Sequence, residues 1–215
     1  MEISEIFSHI DHTLLKSTST SKEIAAVCRE AIKYKTASVC IPPSFVKRAR
    51  MHFPTLNICT VIGFPLGYST PSVKWFETKD AIENGADEID MVVNLGEVKN
   101  GRFAVVEKEI SLIKDACGNK ILKVIIETCA LTTDEKVRLC ECVTNAGADY
   151  IKTSTGFGTA GADIEDIRLF KKYIGENVKI KAAGGIKTRE QLELFLAEGC
   201  DRIGTSSAVK LLIGE

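Results

Sequence analysis

A chain of 215 residues with a formal net charge of −1 has room for one full domain or two small ones and carries no excess of either sign. That balance argues against a general nucleic-acid or anionic-membrane partner, and no apolar run approaches the roughly 20 residues that a membrane helix needs. The amino terminus, Met1-Glu-Ile-Ser-Glu, lacks the basic start and apolar core of a secretion signal, so a cytoplasmic location is the expectation.

After a short helical lead-in, residues 9–15 read as a first strand. Residues 21–34 follow as a helix, with Ser19 or Ser21 as N-cap and Ile24, Val27 and Ala31 at helical spacing. A strand over 36–41 stops at Pro42-Pro43, a short helix covers 44–51, and a third strand over 57–62 runs into the turn-rich Gly63-Phe64-Pro65-Leu66-Gly67. A helix over 71–84 closes at Gly85, which suits a left-handed cap. The fourth strand, 87–93, leads through a loop holding Gly96 and Asn100-Gly101 to a helix over 103–117. The fifth strand is 120–126, and Thr132 or Thr133 caps a helix that stops at Gly147. Strands over 149–153, 178–182 and 201–204 complete the set. Helices over 163–174 and 188–197 lie between them, with a last short helix at 206–213.

Eight alternations of strand and helix call for a parallel sheet covered by helices. Three junctions repeat one phrase: N-G-A-D-E-I-D from Asn84, A-G-A-D-Y-I-K from Ala146 and E-G-C-D-R-I-G from Glu198. Eight such units close into a TIM (β/α)8 barrel. A doubly wound open sheet would begin with a Gly-rich first turn, which His12-Thr-Leu-Leu-Lys is not. The expected organisation is α/β, one barrel domain over residues 1–215.

The eight cysteines sit in strand-like runs (Cys40, Cys59, Cys129) and helix-like ones (Cys28, Cys117, Cys140), with no C-x-x-C pair. They read as reduced, buried thiols rather than a disulfide framework. His9 and His12 have no second cluster of ligands to join, so no metal is expected.

The working end of such a barrel is the carboxyl end of its strands. Those ends carry Asp11 and Thr13, Cys40, Asp90 and Asn94, Lys123 and Glu127, Lys152 and Thr155, Lys181, and Gly204 with Ser206. Charges within strands must be paired or functional. Neighbouring strands would hold Lys152 and Lys181 at one rim, where each ammonium disfavours the other's charge. Bringing a lysine from about 10.4 to neutrality takes on the order of 4 kcal/mol, which a like charge about 4 Å away supplies at an effective dielectric near 20. A neutral amine attacks carbonyl compounds and forms a Schiff base. Asp90 would then move protons, directly or through a water. Gly184-Gly185 and Gly204-Thr205-Ser206-Ser207 follow the seventh and eighth strands, where barrels commonly seat a phosphate. Lys179 shares the alternation of Lys181, so either it reaches water at the lower mouth or that strand starts one residue away.

Seven motifs, in order along nearly the whole chain, resemble the deoxyribose-phosphate aldolase family. They are D-H-T-L-L at Asp11, V-I-G-F-P-L-G at Val61, G-A-D-E-I-D-M-V at Gly85, L-K-V-I-I-E-T at Leu122, Y-I-K-T-S-T-G-F at Tyr150, K-A-A-G-G-I at Lys181 and R-I-G-T-S-S at Arg202. The resemblance implies a class I aldolase without metal or organic cofactor. Its reaction would be the reversible cleavage of 2-deoxy-D-ribose 5-phosphate to glyceraldehyde 3-phosphate and acetaldehyde. It implies Lys152 as the Schiff-base lysine, Lys181 as its perturbing neighbour and Asp90 as the proton-transfer group. Gly184, Gly185, Gly204, Ser206 and Ser207 would form the phosphate cradle, and Lys123 and Asp11 would be supporting positions. It implies a homo-oligomer, dimeric or tetrameric. Two departures from some members stand out: Phe157 replaces a lysine, and no terminal tyrosine follows Leu-Ile-Gly-Glu215. Another lysine-imine aldolase, a phosphosugar isomerase with a carboxylate pair, and a silent phosphate-binding barrel are the competing readings.

Overall fold

The computed structural model describes residues 1–214; Glu215, the end of the tail, lies outside the described residues. Eight parallel strands close in chain order, the first beside the last. They are β1 (Ile10–Thr13), β2 (Ser38–Ile41), β3 (Ile58–Ile62), β4 (Glu88–Val92), β5 (Ile121–Ile125), β6 (Tyr150–Lys152), β7 (Lys179–Ala183) and β8 (Arg202–Thr205). The helices are α1 (Ile3–Ser8), α2 (Ser21–Tyr34), α3 (Val46–His52), α4 (Pro71–Glu83), α5 (Leu95–Lys99) and α6 (Phe103–Cys117), then α7 (Thr133–Asn145), α8 (Ile164–Tyr173), α9 (Arg189–Ala197) and α10 (Ala208–Ile213). The expected TIM barrel is the fold observed.

Strand alternation divides the core in two. Outward-facing Ile10, Val39, Ile58, Ile89, Met91, Leu122, Val124, Ile151, Ile180 and Ile203 join the helices in one large apolar cluster. Inward-facing positions carry Asp11, Glu88, Asp90, Lys123, Lys152, Lys181 and Arg202, all buried, beside a small apolar group of Cys40, Cys59 and Val61. This barrel is thus filled largely by charge on one side of its wall and by hydrocarbon on the other.

Local chemistry sets the helix starts. Thr20 with Glu23, Thr132 with Glu135 and Thr188 with Gln191 each form a reciprocal capping box. The cap of α2 is therefore Thr20, not Ser19 or Ser21, because only Thr20 has a glutamate three residues on. The loop expected around Gly96 holds α5, whose Asn94 side chain accepts from the backbone N–H groups of Gly96 and Glu97. β7 starts at Lys179 rather than Val178. Lys179 is exposed at the strand's lower end, 5.8 Å from the Tyr150 ring, so it shares the face of Lys181 yet stays in water.

All eight cysteines are unpaired thiols and seven of them are buried. Burial pushes Cys117, Cys140 and Cys200 up to about 12. His12 pairs with Glu30 and His9 Nδ1 donates to the Asp201 carbonyl, so the two histidines do not converge.

Candidate active site

A cavity of about 290 Å³ opens at the carboxyl ends of the strands. Its walls are the end of β1 and the segment beyond it (Thr13 to Lys16), the loop after β6 (Thr155 to Phe157), the loop after β7 (Gly184 to Lys187) and the end of β8 with the loop beyond it (Gly204 to Ser207), with Lys152 at its base. Gly184, Gly185, Gly204, Ser206 and Ser207, expected from the sequence in a phosphate cradle, all line this cavity. Gly184 has φ +81 and its carbonyl lies so near Gly161 that a Cβ there would stand 2.2 Å away. The loops after β6 and β7 are therefore packed backbone to backbone. Gly204 has a further duty: a Cβ on it would come within 3.2 Å of the Lys181 stem.

Beneath the cavity lies the charged filling of the barrel. Lys152 Nζ donates to Asp90 Oδ2 at 2.7 Å, and Lys181 Nζ donates to the same oxygen at 2.6 Å. Lys181 also pairs with Asp11. Lys123 reaches Asp90 Oδ1 at 2.8 Å and pairs with Glu88 and Asp11. Arg202 closes the group below by pairing with Asp11 and Glu88. The register explains the convergence, since Asp90 lies opposite Lys123, Lys152 opposite Lys181, and Lys181 opposite Arg202. Ser38 and Cys59 add donors to Asp11 Oδ1 and Asp90 Oδ1, so neither carboxylate has a bare oxygen.

The electrostatics modify the simple picture of two crowded lysines. Burial opposes charge on Asp90, but Lys123, Lys152 and Lys181 outweigh it and hold the carboxyl well below the usual range. Asp11 is held low in the same way, against burial, by Lys123, Lys181 and Arg202. Burial likewise opposes the Lys181 ammonium, yet Asp11 and Asp90 raise it above the ordinary lysine value. Its two carboxylate partners thus favour the Lys181 ammonium, and the Asp90 oxygen lies between it and Lys152. Four cations (Lys123, Lys152, Lys181, Arg202) face three carboxylates (Asp11, Glu88, Asp90). Lys152 alone among the four has a single carboxylate partner, and it shares that one.

Two buried trios, Cys40-Cys59-Asp90 and Asp11-Cys59-Glu88, have the spacing of metal ligands. A lysine ammonium already serves these atoms: Lys123 Nζ touches Cys59 Sγ at 3.3 Å as well as Asp90 and Glu88.

The family model of DeoC/LacD family aldolases matches residues 6–206. The chain belongs to that family. It is 58% identical over 216 residues to the deoxyribose-phosphate aldolase of Clostridium botulinum (strain Eklund 17B / Type B), covering 100% of this chain and 98% of the relative. The deoxyribose-phosphate aldolase of Clostridioides difficile (strain 630) is 56% identical, covering 98% and 96%. The tetrameric deoxyribose phosphate aldolase structure from Aeropyrum pernix superposes with a TM-score of 0.90 at 31% identity, over 99% of this chain and 92% of that one.

Against this aldolase family background, the site contains residues that sequence reasoning did not single out. Glu88 and Arg202 form the lower layer of the charge cluster; their only signal was an unexplained charge at an inward strand position. Lys16 and Lys187 stand exposed at the cavity wall with no ion pair among the described residues. Each directly follows a quoted motif, which was the available clue. Phe157 meets Phe64 edge-on, ring centroids 5.4 Å apart, and joins two loops at the cavity mouth.

Proposed function

We propose that this chain, as a single barrel domain, cleaves 2-deoxy-D-ribose 5-phosphate reversibly to D-glyceraldehyde 3-phosphate and acetaldehyde, through an imine on Lys152. One observation carries the reading: among the described residues Lys152 alone of the cluster's lysines lines the cavity, and it is bonded to a fully buried carboxylate that Lys181 shares. The neutral Lys152 amine adds to the C1 aldehyde of the open-chain sugar, and loss of water gives the iminium. Removal of the C3 hydroxyl proton breaks the C2–C3 bond. Its electrons pass into C2 as an enamine and glyceraldehyde 3-phosphate leaves. Protonation at C2 and hydrolysis then release acetaldehyde and restore the amine. Asp90 accepts and returns protons at the nitrogen, and Lys181 holds the same carboxylate oxygen in place. Lys123 and Asp11 hold Asp90 and Lys181 in place.

The phosphate lies between Gly184-Gly185 and Gly204 to Ser207, with Ser206, Ser207, Lys16 and Lys187 supplying donors. Among the described residues no carboxylate lines the cavity, which disfavours an isomerase built on an acid–base pair of carboxylates. No metal or organic cofactor enters these steps. Eight unpaired thiols suit a reducing cytoplasm. Self-association is part of the proposal: α4 buries Lys74 and Thr78 but exposes Val73, Trp75 and Phe76, next to exposed Leu66 and Tyr68. An outward aromatic face on a helix marks an interface, and a second copy as its cover is checked by sedimentation of wild type against Trp75→Ser/Phe76→Ser.

The deciding experiment is reduction with borohydride in the presence of acetaldehyde, followed by peptide mass analysis. An ethyl group on Lys152 is expected. Active protein without that adduct would overturn the imine reading, and cleavage of ribose 5-phosphate as fast as its 2-deoxy form would overturn the substrate.

A further inference from the structure

Glu127 follows β5 in a left-handed backbone conformation, φ 54 and ψ 67. A side chain other than glycine keeps that conformation only where its surroundings over-determine it, and such positions gather at working sites. Here the surroundings are the loop after β6. The Glu127 carboxylate, 6% exposed, accepts the Thr155 backbone N–H at 3.2 and 3.4 Å and also the Thr155 hydroxyl. Gly158 completes the seat, since a Cβ on it would stand 3.2 Å from the Glu127 carboxyl carbon. Glu127 thus sits behind Thr155, and Thr155 lines the cavity three residues beyond Lys152.

The consequence is a hydroxyl with fixed polarity. The Thr155 proton points to Glu127, and one lone pair of its oxygen takes the Phe157 backbone N–H at 3.0 Å. A hydroxyl has one proton and two lone pairs, so what remains for the cavity is a single acceptor site. We propose that Glu127 is a positioning residue that acts through Thr155, making it an obligate acceptor for a hydroxyl of the phosphosugar. The inference rests on the imine reading of Lys152. It adds a selection rule: a substrate bearing a hydroxyl proton is held, and acetaldehyde, which has none, is indifferent to the pair.

The test compares two readouts in full-length protein. Glu127→Gln places an amide N–H where an acceptor stood and weakens the polarity of the Thr155 hydroxyl; Thr155→Val removes the hydroxyl. Each should raise KM for deoxyribose 5-phosphate roughly tenfold, the worth of one hydrogen bond. Borohydride trapping of acetaldehyde at Lys152 should stay within about twofold of wild type, and Glu127→Asp should recover part of the loss. The double variant should be no worse than either single one, because the two act as a unit. Equal losses in KM and in trapping, or additive losses in the double variant, would reduce Glu127 to a structural prop and overturn the proposal. Absence of trapping in wild type would instead remove the imine reading beneath it.

Discussion

Replacing Lys181 with methionine tests the electrostatic logic most directly. Both ammonium nitrogens touch one Asp90 oxygen, at 2.7 and 2.6 Å, so they stand within roughly 5 Å of each other. At that separation and an effective dielectric near 20, a like charge disfavours protonation of its neighbour by about 3 kcal/mol. Its removal also leaves Asp90 Oδ2 to Lys152 alone. With that like charge gone, the acid limb of kcat/KM is expected to move to higher pH by about two units at 1.36 kcal/mol per unit. At neutral pH that is about a hundredfold loss. The assay is kcat/KM for deoxyribose 5-phosphate from pH 5.5 to 10.5, with Lys181→Arg, which keeps the charge, as the comparison. Folding is not expected to fail, because Asp11 keeps Lys123 and Arg202, and Asp90 keeps Lys123 and Lys152. A methionine variant that loses rate equally at every pH, with its acid limb unmoved, would refute the reasoning.

Three further outcomes follow from the same groups. Asp11 and Asp90 bind protons less readily folded than unfolded, so their stabilisation is complete above about pH 4 and drains away as pH falls through their depressed values. Urea midpoints should be level from pH 7 to 5 and fall below 4, and an Asp90→Asn variant that kept the full wild-type slope would contradict this. Cys117, Cys140 and Cys200 hold their protons to about 12 against 9.0 in the open chain, so the stability they add is whole below pH 9 and is lost from there to 12. Each contributes about 1.4 kcal/mol per pH unit in that window, and the triple alanine variant should show a shallower decline in urea midpoint. Lys74, fully buried, pairs with Glu109 at 2.9 Å; Lys74→Met should cost about 3–5 kcal/mol by leaving that carboxylate alone. Lys74→Met/Glu109→Leu should recover most of it in chemical denaturation.

The barrel was legible because its punctuation is local: a serine or threonine before a helix, a glycine past its end, a β-branched run between. Lys152, Lys181 and Asp90 were legible because a charge inside a strand demands a reason. The lower layer was not, since pairing Glu88 with Arg202 depends on the register of strands far apart in the chain. The outward aromatic face of α4 hid for a related reason. Val73, Trp75 and Phe76 point outward while Lys74 points inward, so amphipathic reading of its first turns places the core on the wrong side. Glu127 showed only as one more polar residue at a strand end; its left-handed backbone leaves no mark in a sequence that puts glutamate there.

The acid–base cluster draws its members from six of the eight staves: β1, β4, β5, β6, β7 and β8. Reactivity and closure are therefore one mechanical property. An opening of the seam between β8 and β1 would part Arg202 from Asp11, slacken Lys181, and loosen the Asp90 carboxylate that Lys152 touches while most helices were still wound. Heat should silence such a catalyst at the first gap in its wall, well before the molecule comes apart.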